Sequence, residues 1–173
     1  MKPEEFQIAY PQVNSWIQQT LSAHATQAQS VVSVGFKRLP CYFSHTLLAS
    51  TKFIAVEQVP VPPLSAIGLP QFSEFERGDY DGITYLDTFF VRRNRASDEK
   101  LYFHELIHIV QWKIFGPEKF IALYADGLER FGYRDSPLEV MAYKTEEAFV
   151  LHKPFDAENY VQEQCIKIHR FVL

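Results

Sequence analysis

The stretch LYFHELIHIVQW, residues 101–112, decides the fold. Leu101, Phe103, Leu106, Ile107, Ile109, Val110 and Trp112, with Ile114 and Phe115 after them, leave almost no polar face, so a helix here belongs at the centre of the molecule. His104, Glu105 and His108 sit inside that apolar run. Unpaired polar groups in a core cost on the order of 1 to 3 kcal/mol each, so three of them need a reason. Residues four apart on a helix stack one turn above each other with Cβ atoms roughly 5 to 6 Å apart, so the two imidazoles can converge on one ion. Glu105, on a neighbouring face, can point beside that ion rather than at it. This is the H-E-x-x-H arrangement, in which two histidines hold zinc and the glutamate is a general base. The competing reading has both histidines as core residues hydrogen-bonded to backbone or carboxylate. It accounts for one buried histidine more readily than for the matched triplet.

Working outward, NRASDEK turns the chain into this helix, with Ser97 as the expected N-cap and Asp98 and Glu99 in the first turn. Gly116 and Pro117 end it. Upstream, the spacing of Val13, Trp16, Ile17 and Leu21 predicts a helix from Tyr10 to about Ala28, with Pro11 in its first turn. SVVSVGF and KFIAVEQV read as strands, YFSHTLLAS between them as a short helix, and ITYLDTFFVRR as a third strand. Residues 60–82 carry Pro, Gly, Ser and Asp at a density that predicts a long irregular loop, a feature that often shapes a site. Helices are predicted from Glu118 to about Phe131, from Pro137 to about Leu151, and from Ala157 to near the end of the sequence. Strands first and helices afterwards give an α+β class.

The 173 residues, 47% hydrophobic and 15% aromatic, suffice for one core and fit a single domain spanning residues 1–173. A net charge of −4 with scattered lysines and arginines offers no field for nucleic acid. The N-terminal MKPEEFQIAYPQ has no signal-like apolar core, and no apolar run approaches the roughly 20 residues that span a bilayer, so a cytosolic protein without a membrane partner is expected. Cys41 and Cys165 lack C-x-x-C spacing and read as two buried thiols.

Two imidazoles do not complete a catalytic zinc site, which takes three protein ligands and leaves a position for water. After His108 there is no nearby third histidine. The favoured candidate is Glu139, early in a predicted helix, with the small Ala142 nearly on its face to permit close approach to the motif helix. Against it, Ser136 and Glu139 also form a capping-box pattern in which the glutamate satisfies backbone only. Glu146 is the reserve, followed by Glu147 and His152.

HELIH followed by SPLEVMAY resembles the gluzincin branch of zinc metallopeptidases, and within it small bacterial proteins reading H-E-L-x-H-x-x-Q-W and then P-x-E-x-x-A-Y. The likeness covers roughly residues 82–149. It implies a minimal zincin-like fold, His104, His108 and Glu139 as zinc ligands, Glu105 as general base, and a peptide or protein substrate lying along GITYLDTFFV as edge strand. The large C-terminal subdomain of the bigger gluzincins is absent. For the residue that steadies the developing oxyanion, Tyr133, Arg134, Tyr143 and His152 are candidates. Gln111 and Trp112 read as helix packing with an amide hydrogen bond, in preference to substrate contact. The alternative to a zinc peptidase is a zinc-binding module that keeps the fold without turnover, or a latent form closed by the 60–82 loop, by the N-terminal segment or by Cys41 as a fourth ligand.

Overall fold

A computed structural model describes residues 3–171. The elements are α1 (Pro3–Ala23), β1 (Gln29–Ser30), α2 (His45–Ser50), β2 (Lys52–Val56), α3 (Ser73–Glu76), β3 (Gly82–Tyr85), β4 (Thr88–Arg92), α4 (Glu99–Phe131), α5 (Pro137–Val150) and α6 (Ala157–Phe171). The class is α+β: a small mixed sheet ordered β1-β2-β4-β3 packs against a mainly helical remainder. β2 and β4 run parallel, with Phe53 opposite Phe89 and Ile54 opposite Phe90, while β1 and β3 are antiparallel edges.

The central strand explains why the core has two halves. Phe89, Phe90 and Val91 are fully buried, so β4 is covered on both faces. Phe89 and Val91 join Tyr102, Phe103, Leu106 and Phe149 in one apolar cluster. Phe90 joins Val13, Ile17, Trp112 and Phe120 in the other, under α1. α4 contributes to both, which is what its unbroken apolar surface requires.

Several sequence expectations are corrected. α1 begins at Pro3 and passes through Pro11, because Ala9 already belongs to the buried face that continues through Val13 and Ile17. SVVSVGF is not a strand: β1 stops at Ser30, and Val31–Val34 coil into a 3-10 turn ended by Gly35 at φ 76°. ITYLDTFFVRR is a hairpin rather than one strand, its chain reversing at Leu86 with φ 60°. Asp98, not Ser97, caps α4, because its carboxylate accepts from the Lys100 and Leu101 amides at 3.1 and 3.4 Å. Two expectations hold: the helix breaks at Gly116 (φ 71°, ψ 169°), and a second segment, opened by Pro117 in its first turn, runs to Phe131. Cys165 is buried and Cys41 exposed, and both are free. The 60–81 stretch holds a 3-10 turn at Pro70–Phe72 and the single turn of α3 within otherwise irregular chain. Among the described residues, no helix is long and apolar enough to cross a membrane.

Candidate metal centre

α4 and α5 bring the site together. Gly127 lets the second segment of α4 approach the start of α5, since a Cβ there would stand 3.0 Å from Ser136 Cβ and 3.2 Å from Pro137 Cδ. Ala142, fully buried, gives the same closeness one turn along α5. His104, Glu105, His108 and Glu139 are all at 5% exposure or less.

The two imidazoles face one another, with His104 Nε2 3.2 Å from His108 Nε2. Glu139 spans the pair: its Oε2 is 3.4 Å from His104 Nε2 and its Oε1 is 3.3 Å from His108 Nε2. The His104–His108 separation matches the edge of about 3.3 Å of a tetrahedral ion with ligand bonds of about 2.0 to 2.1 Å, and one donor atom from each of His104, His108 and Glu139 lies within 4.8 Å of the others, so the three can share an ion. Among the described residues, these are the three whose donor atoms gather in this way. Glu139 Oε2 is buried without an aligned hydrogen bond, its nearest neighbour of opposite charge being His104 Nε2 at 3.4 Å, so a cation at this point, the imidazolium or a metal ion, has to offset its burial. Two imidazole nitrogens and one carboxylate are a donor set that can bind a metal ion.

The far sides of the rings are engaged. His108 Nδ1 lies 2.8 Å from Gln111 Oε1, and the Gln111 amide group donates to Leu138 O at 3.0 Å and toward Met141 Sδ. That orientation of Gln111 makes its oxygen the acceptor, so Nδ1 carries the proton and Nε2 keeps its lone pair for an ion. His104 Nδ1 lies 3.3 Å from Glu146 Oε2, an ion-pair contact rather than an aligned hydrogen bond, and Glu146 also pairs with Lys100 at 3.0 Å. Tyr124 donates to Glu139 Oε1 at 2.7 Å.

Without an ion, these groups are charge-coupled. Burial alone would depress the His104 imidazolium, but Glu139, Glu146 and Glu105 outweigh it and hold its pKa at about 10. Burial works the same way on His108, where the Glu139 carboxylate prevails and the pKa rises. Burial pushes Glu139 up, yet the two histidines override it and hold its carboxyl far below the usual range. Glu105 goes the other way: its burial outweighs the histidines and the Thr84 hydrogen bond, so its pKa is raised.

Glu105 is held by β3. Thr84 Oγ1 donates to its Oε2 at 2.7 Å, and its carboxylate lies over Gly82, where a Cβ would stand 2.4 Å from Oε1. Gly82 is therefore a space requirement of the carboxylate, not of the backbone. The outward carbonyl of Thr84 already accepts from Trp112 Nε1 at 3.2 Å, leaving less of this edge open than the sequence implied.

Of the other candidates, Glu146 stands behind His104 rather than beside the convergent nitrogens, Glu147 and His152 are exposed, and Cys41 lies outside the cluster. Ser136 occupies the N-cap of α5, but no side chain makes a cap hydrogen bond there, so Glu139 is turned to the histidines and not to its own main chain. Tyr133, Arg134 and Tyr143 line an open polar groove of about 300 Å³ whose floor includes the buried His104 and Glu105. Arg134 lies 5.1 Å from the Tyr143 ring centroid, and Tyr143 packs on His104 at 4.8 Å between ring centroids. Sequence reasoning missed Thr84, Gly82 and Tyr124; for Gln111 the expected packing with an amide hydrogen bond is present, while its contact with His108, signalled by the i+3 spacing, went unread.

No protein-family model, curated protein or solved structure matches this chain.

Proposed function

We propose that the chain is a minimal zincin-like peptidase that hydrolyses peptide bonds with zinc held by His104, His108 and Glu139. The observation that carries this reading is the convergence of two Nε2 atoms and the buried Glu139 carboxylate, with Glu105 held next to them by Thr84. Zinc suits a site of two imidazoles and a carboxylate, and when bound it supplies a Lewis acid that acidifies water and polarises a carbonyl. With Cys41 and Cys165 both free, a reducing compartment such as the cytosol suits the chain.

The chain's own groups then have defined tasks. Glu105, whose burial raises its proton affinity, takes the proton of the attacking water and returns it to the departing amine. Thr84 keeps the receiving carboxylate in place, and Gln111 keeps the His108 lone pair aimed. Tyr133 and Arg134 border the groove where a carbonyl oxygen gains charge, and either can donate to it. The same fold without turnover would be a zinc-binding module, and Glu105→Gln separates the two readings. Zinc-loaded wild type is expected to cut a denatured protein substrate, and the variant to bind zinc equally while losing at least roughly 100-fold in rate. Equal inertness of both zinc-loaded proteins would overturn the peptidase reading and leave the binding module.

A further inference from the structure

The polar groove over His104 and Glu105 is lined by three lysine and arginine side chains, Arg95, Lys100 and Arg134. Two of them are neutralised by the protein itself. Arg95 pairs with Asp81 at 2.7 Å and with Asp98 at 2.5 Å, and Lys100 pairs with Glu146 at 3.0 Å. Asp79, also on the groove, is held by Arg92. Arg134 differs: it is exposed, and among the described residues it is paired with no carboxylate. The acids on the rim thus have cations of their own, and Arg134 is the charge left over.

Its place is set from both sides. The chain leaves α4 at Gly132 with φ 76° and enters α5 at the Ser136 N-cap, and the Ser136 amide donates to Tyr133 O at 3.3 Å, so residues 132–135 form a short turn tied to a helix at each end. Tyr133 packs on Tyr80 with 5.1 Å between ring centroids. The Arg134 guanidinium carbon stands over the Tyr143 ring at 5.1 Å, and that ring is 4.8 Å from the His104 ring. A ring face orients a guanidinium without neutralising it, which leaves the planar fork of N–H donors free for a carboxylate, the group it matches bidentately.

We propose that Arg134 is the receptor for a carboxylate of the peptide lying in the groove, borne by an acidic side chain or by the peptide's own C-terminus, one or two residues from the bond presented to Glu105. The proposal rests on the hydrolase reading for the position of that bond and on the groove's charges for the preference. The stack keeps the guanidinium within about 10 Å of the His104 ring, and an extended peptide advances roughly 3.3 to 3.6 Å per residue, so a carboxylate at that remove reaches it.

Two sets of capped alanine tripeptides test it. Members of the first differ only in a central glutamate or glutamine, and members of the second only in a free or amidated C-terminus. In the metal-free chain, followed by chemical-shift changes, the carboxylate member of at least one set is expected to bind about five-fold more tightly than its uncharged twin, as one exposed bidentate ion pair predicts. The first set reports an internal acidic residue as the target, the second a chain end. Arg134→Ala is expected to bring the ratio to about one, and Arg134→Glu to reverse it. In the zinc-loaded chain the ratio of kcat/KM is expected to follow the same order and to collapse in both variants. Equal binding within both sets, or a preference that survives Arg134→Glu, overturns the receptor while the hydrolase reading stands. A loss of rate in Arg134→Ala that is equal for charged and uncharged peptides also overturns it, and leaves Arg134 as a donor to the oxyanion. An Arg134-dependent preference in binding by a zinc-loaded chain that cuts none of the peptides overturns the hydrolase reading while the receptor stands.

Discussion

Gln111 Oε1 sits 2.8 Å from His108 Nδ1, and the same amide is clamped by the Leu138 carbonyl on α5. One side chain thus fixes the tautomer of His108 and ties its helix to the one that brings Glu139. Replacing Gln111 by Leu removes both bonds and leaves Nδ1 buried without an acceptor. Zinc affinity is expected to fall about 10- to 100-fold, measured by competition with a chromophoric chelator. Undiminished affinity would mean that the contact does not orient the ring.

Ligand loss and stability should move together. An ion that binds only the folded chain stabilises it by about 2.7 kcal/mol when present at 100 times its dissociation constant. Wild type is therefore expected to lose several degrees of Tm on chelation, and His104→Ala, His108→Ala and Glu139→Ala to show no such drop. A chelator-sensitive Tm retained in Glu139→Ala would remove that carboxylate from the ligand set.

Gly82→Ala is a test of the general base that touches no ligand. The added methyl meets the Glu105 carboxylate, which is confined by Thr84 and must shift. Displacement on the order of 1 Å costs about 100-fold in rate, so peptide hydrolysis is expected to drop by that factor with zinc content unchanged, checked by metal analysis of the same sample. An active Gly82→Ala protein would show that the carboxylate position is not critical.

The coupled charges set a pH dependence. The metal-free His104 pKa of about 10 exceeds its ordinary 6.5, so its contribution to stability is complete below about 6.5 and disappears as pH rises through about 10. Glu139 is shifted down, so its contribution is present above about 4.5 and lost as pH falls. Zinc must displace protons from the imidazoles, and the gap in Tm between zinc-loaded and chelated protein is expected to widen from pH 5.5 to pH 8. Thermal melts across that range check it, and a constant gap would mean that no proton leaves on binding.

The sequence made the paired imidazoles legible because their geometry is local: a spacing of four places His104 above His108 on any helix. Glu139 was within reach because a glutamate followed three residues later by Ala142 permits close helix approach, though the capping-box alternative could be settled only by where Ser136 and Glu139 point. Thr84, Gly82 and Tyr124 were out of reach, because their roles arise where β3 and the second half of α4 meet the site, and no pattern within either segment records that meeting. The hairpin was missed for a different reason. Its reversal uses Leu86 at φ 60°, where a glycine or asparagine would have signalled the turn. The valines of SVVSV favour extended chain, yet only Gln29 and Ser30 find partners on β2, and beyond them the chain coils.

The break at Gly116 divides α4 into two rods joined at an elbow. Both histidines lie on the first rod, while Tyr124 and Gly127, which steer Glu139 into place, lie on the second. An ion shared by His104, His108 and Glu139 would therefore act as a rivet across that elbow. With the rivet withdrawn, amide exchange is expected to quicken first in residues 117–150 while the sheet stays protected, so the metal would govern how firmly the far half of the molecule is fastened to the near one.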